Sequence, residues 1–151
     1  MNRSTAREIV MRLGFEAAAR DLPVSELLDD FFSEEHYITL AEEDEAFAEF
    51  PDDKQLEFIK NAVTLISEHR DELDKIIEKY SEGWKSSRIS KTAMACMRCA
   101  ICEILYMDDI PQKVSVNEAV EIAKKYDEAE VVSFINGILG SFLKELNGAT
   151  Q

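Results

Sequence analysis

The sequence predicts an all-α fold, because apolar residues recur at helical spacing along most of the chain and no stretch alternates as a strand would. Helix start and stop patterns divide these apolar stripes into five or more segments. The chain has 151 residues and 46% of them are hydrophobic, which is enough for one domain with a substantial core. We therefore expect a single helical domain over residues 1–151.

The first two helices are predicted from capping patterns. Thr5 and Glu8 have the spacing of a capping box, in which the hydroxyl accepts a backbone N–H and the carboxylate reaches back. An apolar stripe follows to Ala17. Pro23 suits the first turn of a second helix, whose apolar face ends at Phe31.

The middle of the chain carries weaker patterns. Residues 33–53 predict a surface segment with room for a short helix. Pro51 then starts a long helix, and its apolar stripe continues to Tyr80. Gly83 interrupts the pattern, and the following residues, which include Trp84, are expected to connect two bundles.

The second half of the chain predicts three helices. Residues 91–107 are apolar on nearly every side, as a central buried helix requires. Pro111 constrains the residue before it and lacks a donor, so it separates this helix from the next. Ser115 and Glu118 repeat the capping-box spacing and predict a helix over 115–126. The stripe of the last helix is Val131, Ile135, Ile138, Leu139, Phe142 and Leu146.

The charge is strongly negative but unevenly distributed. The formal net charge is −14, with 31 acidic and 17 basic residues. Residues 21–53 contain thirteen of the acids and no lysine or arginine, so 31 − 13 = 18 acids remain elsewhere against all 17 bases. This balance disfavours non-specific binding to nucleic acid, but it leaves room for a local basic site.

The three cysteines, at positions 96, 99 and 102, are predicted to be packing residues. Their odd number argues against a disulfide framework. In an extended loop such spacing would suggest an iron–sulfur site, but here the three residues share one face of a predicted helix, where cysteine behaves as a small apolar residue. We predict no metal site and no cofactor. His36 and His69 lack metal-ligand spacing and are predicted to lie on the surface.

Five residues stand out beyond the packing patterns. Arg3 and Arg7 lie at the start of helix one, where free N–H groups favour an anion. Lys113 follows Pro111 on the predicted connector. Phe134 lies at the edge of the last apolar stripe and Asn136 points largely away from it. Each of these residues also has an ordinary role, in solubility for the cations and in the core for the aromatic ring, and the residues alone do not decide between these roles.

Six short segments stand out towards the two ends of the chain: AREI (6–9), Trp84 with RIS (88–90), Arg98 followed by CAICEILY, DDIP with Lys113, VNEAVEIAKKY (116–126) and FINGIL (134–139). With these segments, in this order, the sequence resembles the NusB family of transcription antitermination factors. Residues 21–75 carry no matching motif.

The resemblance implies an all-helical fold of two packed subdomains, at approximately 1–80 and 81–151. It also implies a protein that is not an enzyme. Such a protein pairs with the ribosomal protein NusE, and the pair binds the boxA element of nascent ribosomal RNA. The complex joins the RNA polymerase elongation complex and suppresses premature termination. The cysteine usage, which argues against a disulfide framework, leads us to expect the reducing cytoplasm.

The resemblance also implies which side chains contact RNA: Arg3, Arg7, Lys113, Phe134 and Asn136. The family's N-terminal segment is richer in arginine, and this chain has Ser4 and Thr5 between its two arginines. The alternative is a protein-interaction module with a NusB fold that has lost RNA binding and acts through its acidic face. An iron–sulfur or metal-dependent enzyme that uses the three cysteines is a third alternative. The absence of a long apolar run predicts no membrane span.

Overall fold

The computed structural model describes residues 1–20, 22–81 and 89–148, and these residues contain eight α-helices and one short 3₁₀ helix. Trp84 and the rest of the predicted connector lie outside the described residues. No helix in the described part of the chain is long and apolar enough to cross a membrane. The helices are α1 Arg3–Ala19, α2 Val24–Phe31, α3 Glu34–Glu43, α4 Asp53–Glu68, α5 Arg70–Tyr80, α6 Lys91–Tyr106, α7 Gln112–Tyr126 and α8 Ala129–Gly148, with the 3₁₀ helix at Glu45–Phe47.

The chain divides into two compact units, Met1–Ser67 and Glu68–Gln151. The predicted long helix is interrupted between them, because the backbone of His69 (φ −110°, ψ 14°) leaves the helical region between α4 and α5. As a result α5 belongs to the second unit, where it packs against α6 and α8. The division therefore falls earlier in the chain than the boundary near residue 80 that we expected.

The start of α1 differs from the prediction. Its N-cap is Asn2, whose Oδ1 accepts a hydrogen bond from the Thr5 backbone N–H at 2.8 Å. Thr5 is thus already inside the helix, and the capping-box prediction for Thr5 and Glu8 was wrong. Asparagine is as good an N-cap as serine or threonine, so the helix begins three residues earlier, at Arg3.

The acidic middle segment contains more helix and more buried side chains than predicted. It contains α3 and the 3₁₀ helix, and the Phe47 side chain is completely buried. Tyr37 is also buried, and its hydroxyl donates to the Glu49 carbonyl at 2.8 Å. His36 is only partly exposed and its ring centroid lies 5.1 Å from that of Phe31, so the prediction of a surface histidine was wrong there.

In the second unit, α6 packs against α5, α7 and α8, which confirms the prediction of a central helix. Its three free cysteines are buried, as predicted. Burial raises the pKa of Cys102 to about 12 and raises that of Cys99 well above its usual range. The thiolate is the form that binds metals and attacks electrophiles, so these thiols are suited to packing.

The start of α7 was also mispredicted. The helix begins at Gln112, directly after Pro111, which is the N-cap. Ser115 therefore lies within the helix and is buried, and its hydroxyl donates to Oε1 of the buried Glu103 on α6 at 2.9 Å. Proline is favourable at a helix start, and a buried carboxylate needs a donor. These two requirements, rather than a capping box, explain Pro111 and Ser115.

Candidate nucleic-acid interface

Arg3 occupies the first turn of α1, as a cation near the free N–H groups of a helix start. Its side chain is half-buried: Nε donates to Gln55 Oε1 at 2.8 Å, and its guanidinium carbon lies 4.1 Å from the centroid of the Phe58 ring. Both contacts come from α4. They hold the planar group in one position, which lowers the entropy cost of binding an anion.

Arg7 has a different environment. Only 6% of it is exposed, and its guanidinium carbon lies 5.8 Å from the Phe58 centroid. The sequence placed it in the first turn of helix one, but the earlier start of α1 moves it to the second turn. Arg7 therefore lies under the same aromatic ring as Arg3 and is far less accessible.

Lys113 lies in the first turn of α7, not on a connector. It is exposed and makes no hydrogen bond or ion pair with any residue that the structure describes. Asn117, Val120 and Lys124 follow it at helical spacing, so the four side chains leave one face of α7 within about 60° of each other. Sequence reasoning missed this set, although the i, i+4, i+7, i+11 spacing indicates it.

The two candidate residues of α8 lie on opposite sides of its buried face. Asn136 is exposed and lies beside α7, whereas Phe134 is half-buried and leaves the helix about 160° away. Their proximity in sequence therefore does not place them on one surface. Within the second unit, Lys113 and Asn136 share the α7–α8 side, and Phe134 does not.

A groove of about 440 Å³ runs between α7 and α8 beside Asn136. Three apolar side chains and four polar ones line it. One carboxylate oxygen, Asp127 Oδ2, is closed off from solvent and has no hydrogen-bond partner among the described residues. The lining residues are Val120, Lys124, Asp127, Ala129, Val132, Ser133 and Asn136.

The described residues contain no group of three or more histidine, cysteine or acidic side chains that could hold a metal ion. The molecule is thus an all-helical protein of two units, with cationic and amide side chains at the start of α1 and along α7 and α8. A family model with the description "NusB family" matches residues 4–144. The chain belongs to the NusB family.

Known NusB proteins are similar to this chain over nearly its whole length. The transcription antitermination protein NusB of Thermoanaerobacter sp. (strain X514) is 39% identical over 145 residues, which are 96% of this chain and 92% of that protein. A structure of T. maritima NusB is 29% identical with a TM-score of 0.77, covering 96% of this chain and 92% of that one. A crystal structure of the antitermination factors NusB and NusE in complex with dsRNA has a TM-score of 0.74 at 21% identity, covering 95% and 96%.

Proposed function

We propose that this protein is a transcription antitermination factor that pairs with the ribosomal protein NusE and binds boxA RNA in nascent ribosomal transcripts. The pair joins the RNA polymerase elongation complex and suppresses premature termination. The observation that carries this proposal is the match to antitermination proteins over almost the full chain. In this role the protein is an adaptor in the cytoplasm rather than an enzyme.

The side chains that would meet RNA belong to both units. Arg3 and Lys113 are suited to phosphate contacts, which position a strand without reading its sequence. Asn136 can donate to and accept from a base edge. Phe134 would stack a base at the opposite edge of α8. Arg7, buried under the Phe58 ring, would support the position of Arg3 and contact RNA only after moving.

The net charge explains why a partner is needed. At −14, the chain gains little from counterion release when it meets RNA alone. A basic partner such as NusE would neutralise part of this charge and extend the phosphate-contacting surface. The thirteen acids of residues 21–53 are then available to attract that partner electrostatically.

One observation favours the alternative of an interaction module without RNA binding. The two N-terminal arginines are engaged within the first unit: Arg3 with Gln55 and Phe58, and Arg7 by burial. In this alternative their role is to attach α1 to α4, and the acidic face carries the function by binding a basic protein.

RNA-binding measurements with and without NusE test the proposal. We expect fluorescence anisotropy to show that the pair binds boxA RNA more tightly than either protein alone. Arg3→Gln and Lys113→Glu should each weaken this binding. In a plot of the logarithm of the affinity against the logarithm of the salt concentration, the slope should become shallower by about one for each phosphate that the variant no longer neutralises.

Lys60→Glu is the matched control for Lys113→Glu, because Lys60 is an exposed helical lysine outside the candidate set. Lys60→Glu should change the affinity for boxA RNA and its salt dependence much less than Lys113→Glu does. Association with NusE, measured by calorimetry, should survive all three substitutions. If the pair binds boxA RNA no better than NusE alone, the interaction-module alternative is correct.

A further inference from the structure

Three aromatic rings of the first unit meet at its surface, and we call them the aromatic patch. Phe32, Tyr37 and Phe50 each contact the other two, with ring centroids 6.1, 5.7 and 5.0 Å apart. Tyr37 is buried and Phe32 is partly exposed, whereas Phe50 is 51% exposed. Single exposed apolar residues are ordinary, but an aromatic cluster with an open ring is typical of a binding surface.

The backbone that presents the exposed ring is held on both sides. The Tyr37 hydroxyl donates to the Glu49 carbonyl at 2.8 Å, directly before Phe50. Pro51 follows and is buried, and a proline restricts the residue before it to extended conformations. Asp52 then caps α4, since its Oδ1 accepts a backbone N–H of the first turn at 2.9 Å. A contact presented in this way loses little entropy when a partner binds.

The surroundings of the aromatic patch are strongly negative. Residues 21–53 contain thirteen acids and no lysine or arginine. Two of the acids near the patch are paired, Asp30 with Arg20 and Glu49 with the amino group of Met1. The exposed acids within three positions of a patch phenylalanine are Asp29, Asp30, Glu34, Glu35, Glu49, Asp52 and Asp53.

Other phenylalanine rings of this unit already carry an arginine. The guanidinium carbon of Arg3 lies 4.1 Å from the Phe58 centroid, and that of Arg12 lies 5.0 Å from the Phe47 centroid. Among the described residues, no cation lies over the ring of Phe50. A guanidinium can stack on an aromatic face and also pair with a carboxylate, so the patch and its acids offer both contacts that an arginine makes.

We propose that the aromatic patch docks an arginine-bearing segment of a basic protein, with a guanidinium over the Phe50 ring. Aromatic residues and arginine are both enriched at protein interfaces. The acids repel RNA phosphates, and a second copy that used the same patch would bring acids against acids. The inference deepens the proposed function and rests on it for the partner, since a pair that joins the elongation complex is held more firmly by a protein contact besides that with NusE.

An oligoarginine and an oligolysine peptide of equal length test the patch by fluorescence anisotropy with this chain alone. Both should bind the acidic chain, but oligoarginine should bind about fivefold more tightly, because a guanidinium stacks on a ring better than an ammonium does. Phe50→Leu keeps an apolar side chain and the net charge but removes the ring, so it should abolish most of this preference.

Phe15→Leu is the matched control, because it makes the same change at an exposed phenylalanine of α1 that lies outside the patch. It should keep the full preference for oligoarginine. Thermal unfolding checks that both variants fold, and NusE association and boxA RNA binding by the pair should be unchanged in Phe50→Leu.

Three results would overturn the inference. A preference for oligoarginine that Phe50→Leu leaves intact shows that the peptides respond to the acids alone. Weaker NusE association in Phe50→Leu assigns the patch to the NusE contact instead of a further protein. Dimerisation of the natural chain that Phe50→Leu abolishes assigns it to a second copy. If the natural pair binds no boxA RNA while Phe50→Leu still removes the arginine preference, the proposed function fails and the docking site stands.

Discussion

The ion pair between Arg98 and Asp74 joins α6 to α5, and its removal should measurably destabilise the second unit. Arg98 Nε and Nη2 donate to the two Asp74 oxygens at 2.6 and 3.1 Å, and the side chains are 11% and 35% exposed. Removing one partner of a fully buried pair costs about 3–5 kcal/mol, because the other charge remains buried and unpaired. Since Asp74 is one-third open to solvent, we expect about 2 kcal/mol for Asp74→Ala.

Urea denaturation followed by circular dichroism would measure this loss in the free energy of unfolding. In thermal unfolding of a chain of this size, about 2 kcal/mol corresponds to a decrease of roughly 4–8 °C in Tm. Glu121→Ala is the control, since its pair with Lys124 is exposed on both sides and should contribute less than about 0.5 kcal/mol. Arg98→Met combined with Asp74→Ala should be less destabilising than Asp74→Ala alone. If Asp74→Ala costs no more than Glu121→Ala, the pair does not fasten α5 to α6.

Four other predictions follow from individual side chains. Ser115→Ala removes a donor from the buried Glu103 carboxylate and should cost about 1–3 kcal/mol in urea denaturation; a loss near zero would mean that the hydroxyl is dispensable. Burial raises the pKa of Cys102 from 9.0 to about 12. The neutral thiol therefore contributes stability that is complete below pH 9 and declines as the pH rises towards 12, because the Cys102 thiol ionises at lower pH in the unfolded chain than in the folded one. Cys102→Ala should flatten this alkaline decline in pH-dependent unfolding, and an unchanged slope would assign the decline to other groups. Phe134→Ala should weaken RNA binding by roughly 1–3 kcal/mol if the ring stacks a base, while calorimetry shows unchanged NusE binding; equal RNA affinity would remove Phe134 from the site. Asp127→Asn should raise the midpoint of thermal unfolding, since it relieves a shielded carboxylate, and a lowered midpoint would contradict the view that this oxygen is unsatisfied.

Hydrophobic periodicity determined the helical class and the most buried elements. Residues 91–107 are apolar on nearly all sides, and the structure places α6 among three other helices. The apolar stripe of the last helix likewise predicted the buried Ile135, Leu139 and Phe142. A period of 3.6 residues is a local property of the chain that tertiary contacts do not need to supply.

Helix boundaries were less predictable, because several local patterns compete for the same backbone groups. Asn2 and Thr5 are both acceptable N-caps, and Asn2 is the residue that caps α1. Pro111 and Ser115 both suit a helix start, but Ser115 is needed inside α7 as a donor to Glu103. That carboxylate lies on another helix, so sequence spacing around Ser115 does not reveal it.

The sequence by itself determined that the chain is helical and which segments resemble the NusB family. Only the tertiary structure decided which candidate side chains are accessible. Arg3 and Arg7 look equivalent in sequence, yet α4 leaves Arg3 half-exposed and Arg7 is buried. The unsatisfied Asp127 oxygen has no signature in the sequence either. Accessibility and hydrogen-bond satisfaction depend on groups that are distant along the chain, and for this reason they emerge only when the helices pack.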